Sequence, residues 1–311
     1  MARGKKQKKQ IGLLAFSVLA CLLTGTYAFF HGTGGKTEPA KPPPAAPQNT
    51  QVYYLNVGQG DCEVIRLKTG ENILIDSGNP ETAQELVDVL RQLGVKKIDH
   101  LIATHPHADH IGAMAKIIQS LDIGEIYMPK IAEKQIPTTN TYEKLLKAID
   151  TKGMKITAAK GGMTVLENGD ERLEILAPNS PKYDDLNNYS VVVKLTSGEK
   201  RFLFTGDAQT ENEKEMLAKG YDLKSDVLKC GHHGSSTSTS AAFLKAVRPS
   251  AAVISCGRNN DYGHPHKEVL GRLQKADVTV YRTDTQGTIL AECDGKAIRF
   301  TTGQISVIPF K

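Results

Sequence analysis

The sequence predicts an α/β protein whose folded domain is a four-layer αββα sandwich, with two inner sheets and two outer layers of helices. Two observations indicate this class. Both halves of the chain contain short β-rich segments, and both also contain segments with helical hydrophobic spacing. In addition, glycine, aspartate and histidine cluster directly after several expected strands, where α/β folds place their functional sites. The sequence shows no internal repeat.

The N-terminus, residues 1–30, predicts a signal anchor or signal peptide. A basic stretch, MARGKKQKKQ, precedes twenty uncharged residues, 11–30, which as a helix just span a bilayer. Lysines ahead of such a run stay in the cytoplasm, so the rest of the chain would face outward. We expect an uncleaved anchor, with cleavage after Ala28 or lipid attachment at Cys21 as alternatives, and each exports the domain. Residues 31–50 are rich in proline and glycine and predict a disordered linker.

The remaining residues, 51–311, are expected to form one folded domain with the following elements. Strands are expected where β-rich runs are bounded by Gly, Asp or Asn, at VYYLNVG, CEVIRLK, NILIDSG, IDHLIATH, EIYMP, MKITAA, RLEILAP, YSVVVKLTSG, KRFLFTGD, DVLKCGHHG, AAVISCG, VTVYRT, TILAEC and AIRFTTG. Helices are expected where apolar residues recur at helical spacing, over 80–93, 111–121, 142–149, 208–219, 240–247 and 266–275.

The composition is that of an ordinary globular protein, with 40% hydrophobic and 23% charged residues. The 39 basic residues exceed the 34 acidic ones because residues 1–50 hold seven basic residues and one acidic residue. The domain is therefore close to neutral and lacks the overall positive charge of many nucleic-acid-binding proteins. Cys21 lies in the apolar segment. Buried free thiols are expected for the widely spaced others, which are Cys62, Cys230, Cys256 and Cys293.

A dense metal-binding motif, THPHADH, follows the expected strand HLIA. Its H-x-H-x-D-H residues are His105, His107, Asp109 and His110. In a loop, the first two can point the same way, while the last two can reach around a second position. Imidazole and carboxylate ligands suit Zn, Fe or Mn rather than Ca. Four such groups at this spacing predict a metal site rather than a polar loop with incidental histidines.

Further ligands are expected at the ends of other strands. Asp207 follows FLFTG, and His232 and His233 follow LKCG. We expect Asp207 to bind metal, with capping of the following helix as the alternative. One residue of the His232/His233 pair is expected to be a ligand, and the other to support it or to face the substrate. His264 and His266, in NNDYGHPH, suit substrate contact or proton transfer as well as a structural role.

Together these motifs resemble the metallo-β-lactamase superfamily. THPHADH, TGD, HHGSS and NDYGHPH, with NVGQGD and LIDSG upstream, are most similar to the extracellular hydrolase domain of ComEC-type DNA-uptake proteins. The resemblance extends from about Val52 to the C-terminus. It implies the αββα fold, two divalent metal ions and a hydroxide between them as the nucleophile.

The resemblance also implies a role for each motif residue. The ligands of the two ions, Zn²⁺ or Mn²⁺, would be His105 and His107 for the first, Asp109, His110 and one of His232 and His233 for the second, and Asp207 as the bridge. Asp76 in LIDSG and Asp61 in GQGD would support the site loops. The residues expected to take part in catalysis are Asp109, His233, His264 and Lys229, the last by meeting a substrate phosphate.

One histidine of the wider superfamily is absent from this sequence. Many members supply another ligand to the first ion from a strand between H-x-H-x-D-H and the bridging aspartate, but here that region reads DDLNNYSVVVKL. Asn187, Asn188 or Ser190 occupies the corresponding place. A first site that is richer in oxygen ligands would favour Mn²⁺ over Zn²⁺.

Three functions are compatible with these residues. The first is a surface-tethered phosphodiesterase, a nuclease that acts on DNA and associates with a DNA-uptake system. The second is a hydrolase of small or wall-linked esters, such as a phosphorylcholine esterase, lactonase or β-lactamase, although choline favours aromatic cages and the chain has no tryptophan. The third is a non-catalytic surface module, which is disfavoured because structural zinc needs only four ligands. The domain would lie outside the cell membrane on a single-pass anchor, or be secreted or a lipoprotein after cleavage.

Overall fold

Two β-sheets pack face to face in the computed structural model, which describes residues 46–303. The strands are β1 (Thr50–Tyr54), β2 (Glu63–Arg66), β3 (Asn72–Ile75), β4 (Lys97–Ile102), β5 (Asp122–Pro129), β6 (Ile156–Ala159), β7 (Met163–Asn168), β8 (Glu171–Ala177), β9 (Val192–Ser197), β10 (Lys200–Phe204), β11 (Val227–Lys229), β12 (Ala251–Ile254), β13 (Thr279–Arg282), β14 (Ile289–Cys293) and β15 (Ile298–Thr302). The helices are α1 (Ala83–Gln92), α2 (Ala108–Ile111), α3 (Met114–Ser120), α4 (Asn140–Thr151), α5 (Thr210–Ala218), α6 (Ala241–Val247), α7 (Lys267–Lys275) and α8 (Thr283–Gln286).

Each sheet combines antiparallel and parallel strands. The first sheet has the order β15-β14-β1-β2-β3-β4-β5-β6, and its strands are antiparallel up to β3 and parallel from β3 to β6. The second has the order β13-β12-β11-β10-β9-β8-β7, and its strands are antiparallel from β7 to β10 and parallel from β10 to β13. Parallel neighbours need crossover connections, most of which are helical and lie on the outer faces of the sheets.

Side-chain alternation along the strands builds three apolar layers. In β3, Ile73 packs between the sheets and Leu74 packs toward the outer helices; in β10, Phe202 and Leu203 divide in the same way. Residues of α1, α3 and α4 cover the first sheet, and residues of α5, α6 and α7 cover the second. The predicted α/β class and four-layer arrangement are therefore confirmed.

The structure differs from the expected elements in three places, one of which is the short helix α8, where no helix is expected. The helix expected over 111–121 is two short helices, α2 and α3, which are separated by Gly112 and Ala113. A Cβ atom on Gly112 would lie 2.4 Å from the carbonyl oxygen of Gly78, so the chain packs too tightly there for any larger residue. Strand β7 is missing from the expected strands because most of its side chains are at least partly exposed, which leaves no buried apolar run to detect.

The prediction of buried free cysteines can be compared with the described residues, whereas the predicted membrane anchor lies outside them. Cys62, Cys230, Cys256 and Cys293 are free and buried, as expected. Within residues 46–303, no helix has both the length and the apolar character needed to cross a bilayer. The predicted anchor and most of the predicted linker lie outside the described residues.

Candidate metal centre

Loops from both sheets meet at one edge of the sandwich and bring the sequence motifs together. The loop after β4 and helix α2 carry the H-x-H-x-D-H residues, the loop after β10 carries Asp207, and the turn after β11 carries His232 and His233. Asp207 does not cap the following helix, because α5 begins at Thr210 with Gln209 as its N-terminal cap. The carboxylate of Asp207 is instead buried among the histidines.

The first oxygen of Asp207 faces the residues implied for the second ion. Asp207 Oδ1 lies 3.3 Å from His110 Nε2 and 3.6 Å from His233 Nε2. Asp109 belongs to the same group, since its Oδ2 atom lies 3.2 Å from His233 Nε2. His110 and His233 are buried, so this half of the centre is largely shielded from solvent.

The second oxygen of Asp207 faces a different pair of histidines. Asp207 Oδ2 lies 3.8 Å from His105 Nε2 and 3.7 Å from His232 Nε2. His107 joins this half, because its Nδ1 atom lies 3.0 Å from His105 Nε2. His232 and His233 reach opposite oxygens from a turn in which both have left-handed backbone conformations, with φ of 50° and 53°. His232 therefore lies on the side where the sequence lacks the histidine of the wider superfamily.

Hydrogen bonds to the other ring nitrogen hold two of these histidines in place. Asp76 Oδ2 lies 2.7 Å from His110 Nδ1, and His233 Nδ1 forms a 2.9 Å hydrogen bond with the backbone carbonyl of Ser255. Each contact leaves the Nε2 atom of the ring facing Asp207, as the outer partners of metal-binding histidines do. Asp76 thus makes the supporting contact that the family resemblance implies for it, whereas Asp61 pairs with Lys229 and has its Oδ1 atom 3.2 Å from His233 Nδ1.

The donor atoms at this centre fit a divalent cation. His110 Nε2 and Asp207 Oδ1 are buried without a hydrogen-bond partner, a costly state that a bound cation would relieve. Burial lowers the pKa of His110, but the carboxylates of Asp207 and Asp76 outweigh it and raise that pKa well above its usual value. Burial likewise opposes protonation of His233, yet Asp207 and Asp61 raise its pKa to about 10. The negative charge that draws protons onto these rings would equally attract metal ions.

The three residues considered in place of the absent histidine have different contacts. Ser190 Oγ lies 3.4 Å from His105 Nδ1 and accepts a hydrogen bond from the backbone N–H of Asp207 at 3.0 Å, so it positions both residues. The side-chain amide of Asn188 is bound to α5 and its N-terminal cap. Asn187 lines the open side of the centre, and its Oδ1 atom is buried without a partner. Asn187 is therefore the one of the three with an uncommitted oxygen.

A cleft of about 350 Å³ opens onto the centre, and Tyr262 and His264 form part of its wall. Burial, together with the neighbouring His233 and His232, lowers the pKa of His264 to about 4, so its ring is neutral at pH 7. His264 Nδ1 is buried without a partner. Tyr262 is absent from the predicted site residues, because a single tyrosine in a polar loop carries no local pattern that indicates its exposure at the cleft.

Lys229 is not placed as predicted. Its side chain is 1% exposed, and its Nζ atom donates hydrogen bonds to the carboxylate of Asp61 and, at 3.1 Å, to the carbonyl of Cys230. The lysine therefore cannot meet a substrate phosphate in the cleft. His266 also lies apart from the centre: its Nδ1 atom accepts a hydrogen bond from the backbone N–H of Ser236 at 3.0 Å, just before α7, which is a structural role.

The geometry predicts that His232 binds metal in the same half of the centre as His105. We expect His232→Ala to weaken one bound ion by at least the roughly 10- to 100-fold that loss of an outer partner of a ligand costs. The metal content of the purified protein, measured after dialysis against a range of free Mn²⁺ or Zn²⁺, tests this. His266→Ala is the matched control, because it removes a histidine that lies outside the centre. Equal metal content in His232→Ala and the unaltered protein would show that His232 faces the substrate instead.

Known proteins share both this fold and these motifs. Residues 55–258 match the family model of the metallo-beta-lactamase superfamily, a range that includes the predicted metal ligands of both sheets. Similar curated proteins include ComE operon protein 3 of Bacillus subtilis, 33% identical over 265 residues, and competence protein ComA of Neisseria gonorrhoeae, 32% identical over 250 residues. Recombination protein 2 of Haemophilus influenzae is 31% identical over 244 residues.

These alignments cover most of this chain but only part of the relatives. They include 77 to 79% of this chain and 28 to 33% of each relative, so the chain spans about a third of the length of the curated relatives that it matches. Among solved structures, CmlA, a diiron beta-hydroxylase from Streptomyces venezuelae, superposes with a TM-score of 0.50 at 16% identity, over 83% of this chain and 55% of that one. At this identity the superposition shows the fold alone. The competence relatives confirm the resemblance to ComEC-type domains, and the family match shows that the chain belongs to the metallo-β-lactamase superfamily of metal-dependent hydrolases.

Proposed function

We propose that this chain is a phosphodiesterase that hydrolyses DNA with two divalent cations, Mn²⁺ or Zn²⁺, at the Asp207 centre. The observation that carries the proposal is that four histidines surround the buried carboxylate of Asp207, with two of them nearest to each of its oxygens. When bound, paired divalent cations lower the pKa of water and stabilise charge on both the attacking and the leaving oxygen of a phosphodiester. A metal that only stabilised the fold would need neither two ligand sets nor an adjoining cleft.

The residues around the cleft would orient the substrate and supply protons. Asp109 and His233 lie 3.2 Å apart at the centre, which fixes their relative position while leaving the cleft open. His264 is neutral at pH 7 because its pKa is lowered to about 4, so its ring retains one N–H donor. We assign to His264 the role of donating that hydrogen bond to an oxygen of the phosphodiester.

A basic groove between α6 and α7 supports a polyanionic substrate. It encloses about 420 Å³, no acidic residue of the described chain lines it, and its charged residues are Lys245, Arg248, Arg272 and Lys275. Helix α7 begins directly after His266, next to the loop that carries His264. Its nine residues are about 13 Å long, or roughly four nucleotides of one strand at 3.4 Å each. We infer that a strand held at the centre would run along α7 to reach the groove, although the domain as a whole is near neutral.

The names of the relatives support the same substrate class. One of the similar proteins is named as a competence protein, another is named for the ComE operon, and a third is named for recombination. Both processes act on DNA. Because the chain spans only about a third of these proteins, we extend to it a hydrolytic step on DNA and not the transport of DNA.

Hydrolysis assays on the full-length chain test the proposed function. Single- and double-stranded DNA, methyl p-nitrophenyl phosphate and an acyl ester would be incubated with the protein in Mn²⁺, in Zn²⁺ and in a chelator. We expect metal-dependent cleavage of DNA and of the phosphodiester. Turnover of the acyl ester alone would replace the proposal with an esterase, and no turnover of any substrate by protein that binds two ions would overturn it.

Salt dependence should reveal the basic groove. We expect the combined Lys245→Gln, Arg248→Gln and Lys275→Gln variant to reduce the slope of log KM for single-stranded DNA against log salt by about 2, because each lost phosphate contact contributes roughly 0.7. The matched control is Lys116→Gln, Lys144→Gln and Lys147→Gln, which removes three exposed lysines from the opposite layer of helices. Equal slopes in the two variants would exclude the groove from DNA binding.

We also propose that residues 1–30 tether the enzyme to the outer face of the membrane, beside a DNA-uptake system. The basic stretch and the following twenty uncharged residues support this topology. In cells, the full-length chain should remain in the membrane fraction after a carbonate wash and be digested by protease added outside. A chain lacking residues 1–30 should do neither. Full-length protein that resists external protease in intact cells would contradict the topology.

A further inference from the structure

Tyr262 is the one aromatic residue among the large apolar side chains that the described part of the chain exposes. Its side chain is 65% exposed, more than Ile136 at 47% or Ile156 at 41%. Unlike those two residues, Tyr262 lines the cleft beside the metal centre. An exposed aromatic ring at a polar cleft is a characteristic feature of ligand binding, because the ring offers a large flat contact surface.

The loop that presents Tyr262 is held in one conformation by Asn260. The side-chain oxygen of Asn260 accepts hydrogen bonds from the backbone N–H groups of Tyr262 at 3.2 Å and of His264 at 2.9 Å. Its amide group donates to the carbonyl oxygens of Gly257 at 2.9 Å and of His264 at 2.7 Å. A ring on so constrained a loop loses little additional conformational entropy when a ligand contacts it.

A row of aromatic rings connects Tyr262 to the metal centre. The ring of Tyr262 stacks on His264 with centroids 5.5 Å apart and an interplanar angle of 18°. The ring of His264 in turn lies 5.6 Å from His232 and 6.0 Å from His233. One face of the tyrosine is therefore supported by His264, and the exposed part of its ring lies two ring contacts from the metal-facing histidines.

We propose that Tyr262 forms a subsite that stacks the nucleobase next to the phosphodiester being cleaved. This inference rests on the proposed function, since it names the part of DNA that the cleft recognises. Every base has a flat π-face, so stacking on one aromatic ring gives affinity without sequence preference. The subsite predicts that hydrolysis depends on a base beside the scissile bond, and not on the phosphodiester alone.

Three esters that share the same p-nitrophenolate leaving group test the subsite on the full-length chain. They are thymidine 5′-p-nitrophenyl phosphate, methyl p-nitrophenyl phosphate and p-nitrophenyl phosphorylcholine. We expect the unaltered protein to favour the thymidine ester over the methyl ester by about 10- to 100-fold in kcat/KM, the range that stacking of one base provides. Tyr262→Ala should bring this ratio close to one, and Tyr262→Phe should keep it. Bound metal, measured in parallel, shows that the centre remains assembled.

The outcomes separate the subsite from the proposed function. An unchanged thymidine-to-methyl ratio in Tyr262→Ala would overturn the base subsite while leaving the phosphodiesterase intact. A preference for the choline ester that Tyr262→Ala abolishes would also overturn it, and would assign the tyrosine to a cation–π contact instead. If the unaltered protein hydrolyses none of the three esters and also leaves DNA intact, the proposed function itself fails, whereas cleavage of DNA without hydrolysis of the thymidine ester would overturn the base subsite alone.

Discussion

Asp207→Asn is expected to reduce kcat/KM for a phosphodiester by about 10³-fold and to lower the metal content of the protein toward zero. The reason is that both carboxylate oxygens are used: Oδ1 faces His110 and His233, and Oδ2 faces His105 and His232. Asparagine keeps the shape but has one oxygen, one N–H₂ donor and no charge. Loss of the several kcal/mol of charge stabilisation that metal ions supply corresponds to a rate loss of this size.

The measurement combines metal content with steady-state kinetics on the same preparations. Glu211→Gln is the matched control, because it also neutralises a carboxylate near the centre, one that is exposed and accepts a hydrogen bond from Asn188 at 3.0 Å. It should retain both bound ions and most activity. Two tightly bound ions in Asp207→Asn would show that the carboxylate does not bridge the two halves of the centre.

Lys229→Met is expected to destabilise the metal-free protein by about 3–5 kcal/mol, the cost of leaving one buried charge without its partner. Lys229 and Asp61 are each 1% exposed and form an ion pair. Burial lowers the pKa of Lys229, but Asp61 and Glu63 outweigh it and raise that pKa above its usual value, so the lysine is charged. Because methionine fills a similar volume, the loss in the free energy of unfolding arises from the unpaired charge and not from a cavity.

Urea unfolding in the presence of a chelator measures this loss without a contribution from bound metal. The matched control is Lys68→Met, which breaks the 2.8 Å pair with Asp170 at the surface, where the side chains are 23% and 58% exposed. That change should cost at most about 1 kcal/mol. Adding Asp61→Asn to Lys229→Met should recover part of the loss, because the unpaired carboxylate is then removed. Equal destabilisation by Lys229→Met and Lys68→Met would contradict the prediction.

Sequence patterns predict the strands of this fold wherever buried apolar residues occupy most positions of the strand. Strands such as β3 and β10 have apolar residues on both faces, one set for the space between the sheets and one for the helices, and they are found from sequence. Strand β7 escapes detection because it pairs only with β8 and is mostly exposed. The interruption at Gly112 escapes detection for another reason: it depends on contact with Gly78, which is distant in sequence.

The candidate centre shows the same division between local and distant causes. The metal-facing residues can be identified because they follow strands in short motifs, and the structure brings them together. The orientation of His232 and His233 toward different oxygens cannot be identified, because it depends on two left-handed residues in one turn. Lys229 and Asp61 are 168 residues apart in the sequence, so no local sequence pattern predicts their pairing. Tyr262 becomes prominent only when its exposure is known.

Because the ligands are divided between the two sheets, bound cations would cross-link the two halves of the sandwich. The H-x-H-x-D-H residues extend from the first sheet, and Asp207, His232 and His233 extend from the second. Opening the sheets would release the ions, so each ion at about 1,000 times its Kd adds roughly 4 kcal/mol of resistance to unfolding. Depletion of metal should therefore increase the rate at which proteases degrade the protein, in addition to abolishing its activity. The supply of cations would then determine the amount of folded protein.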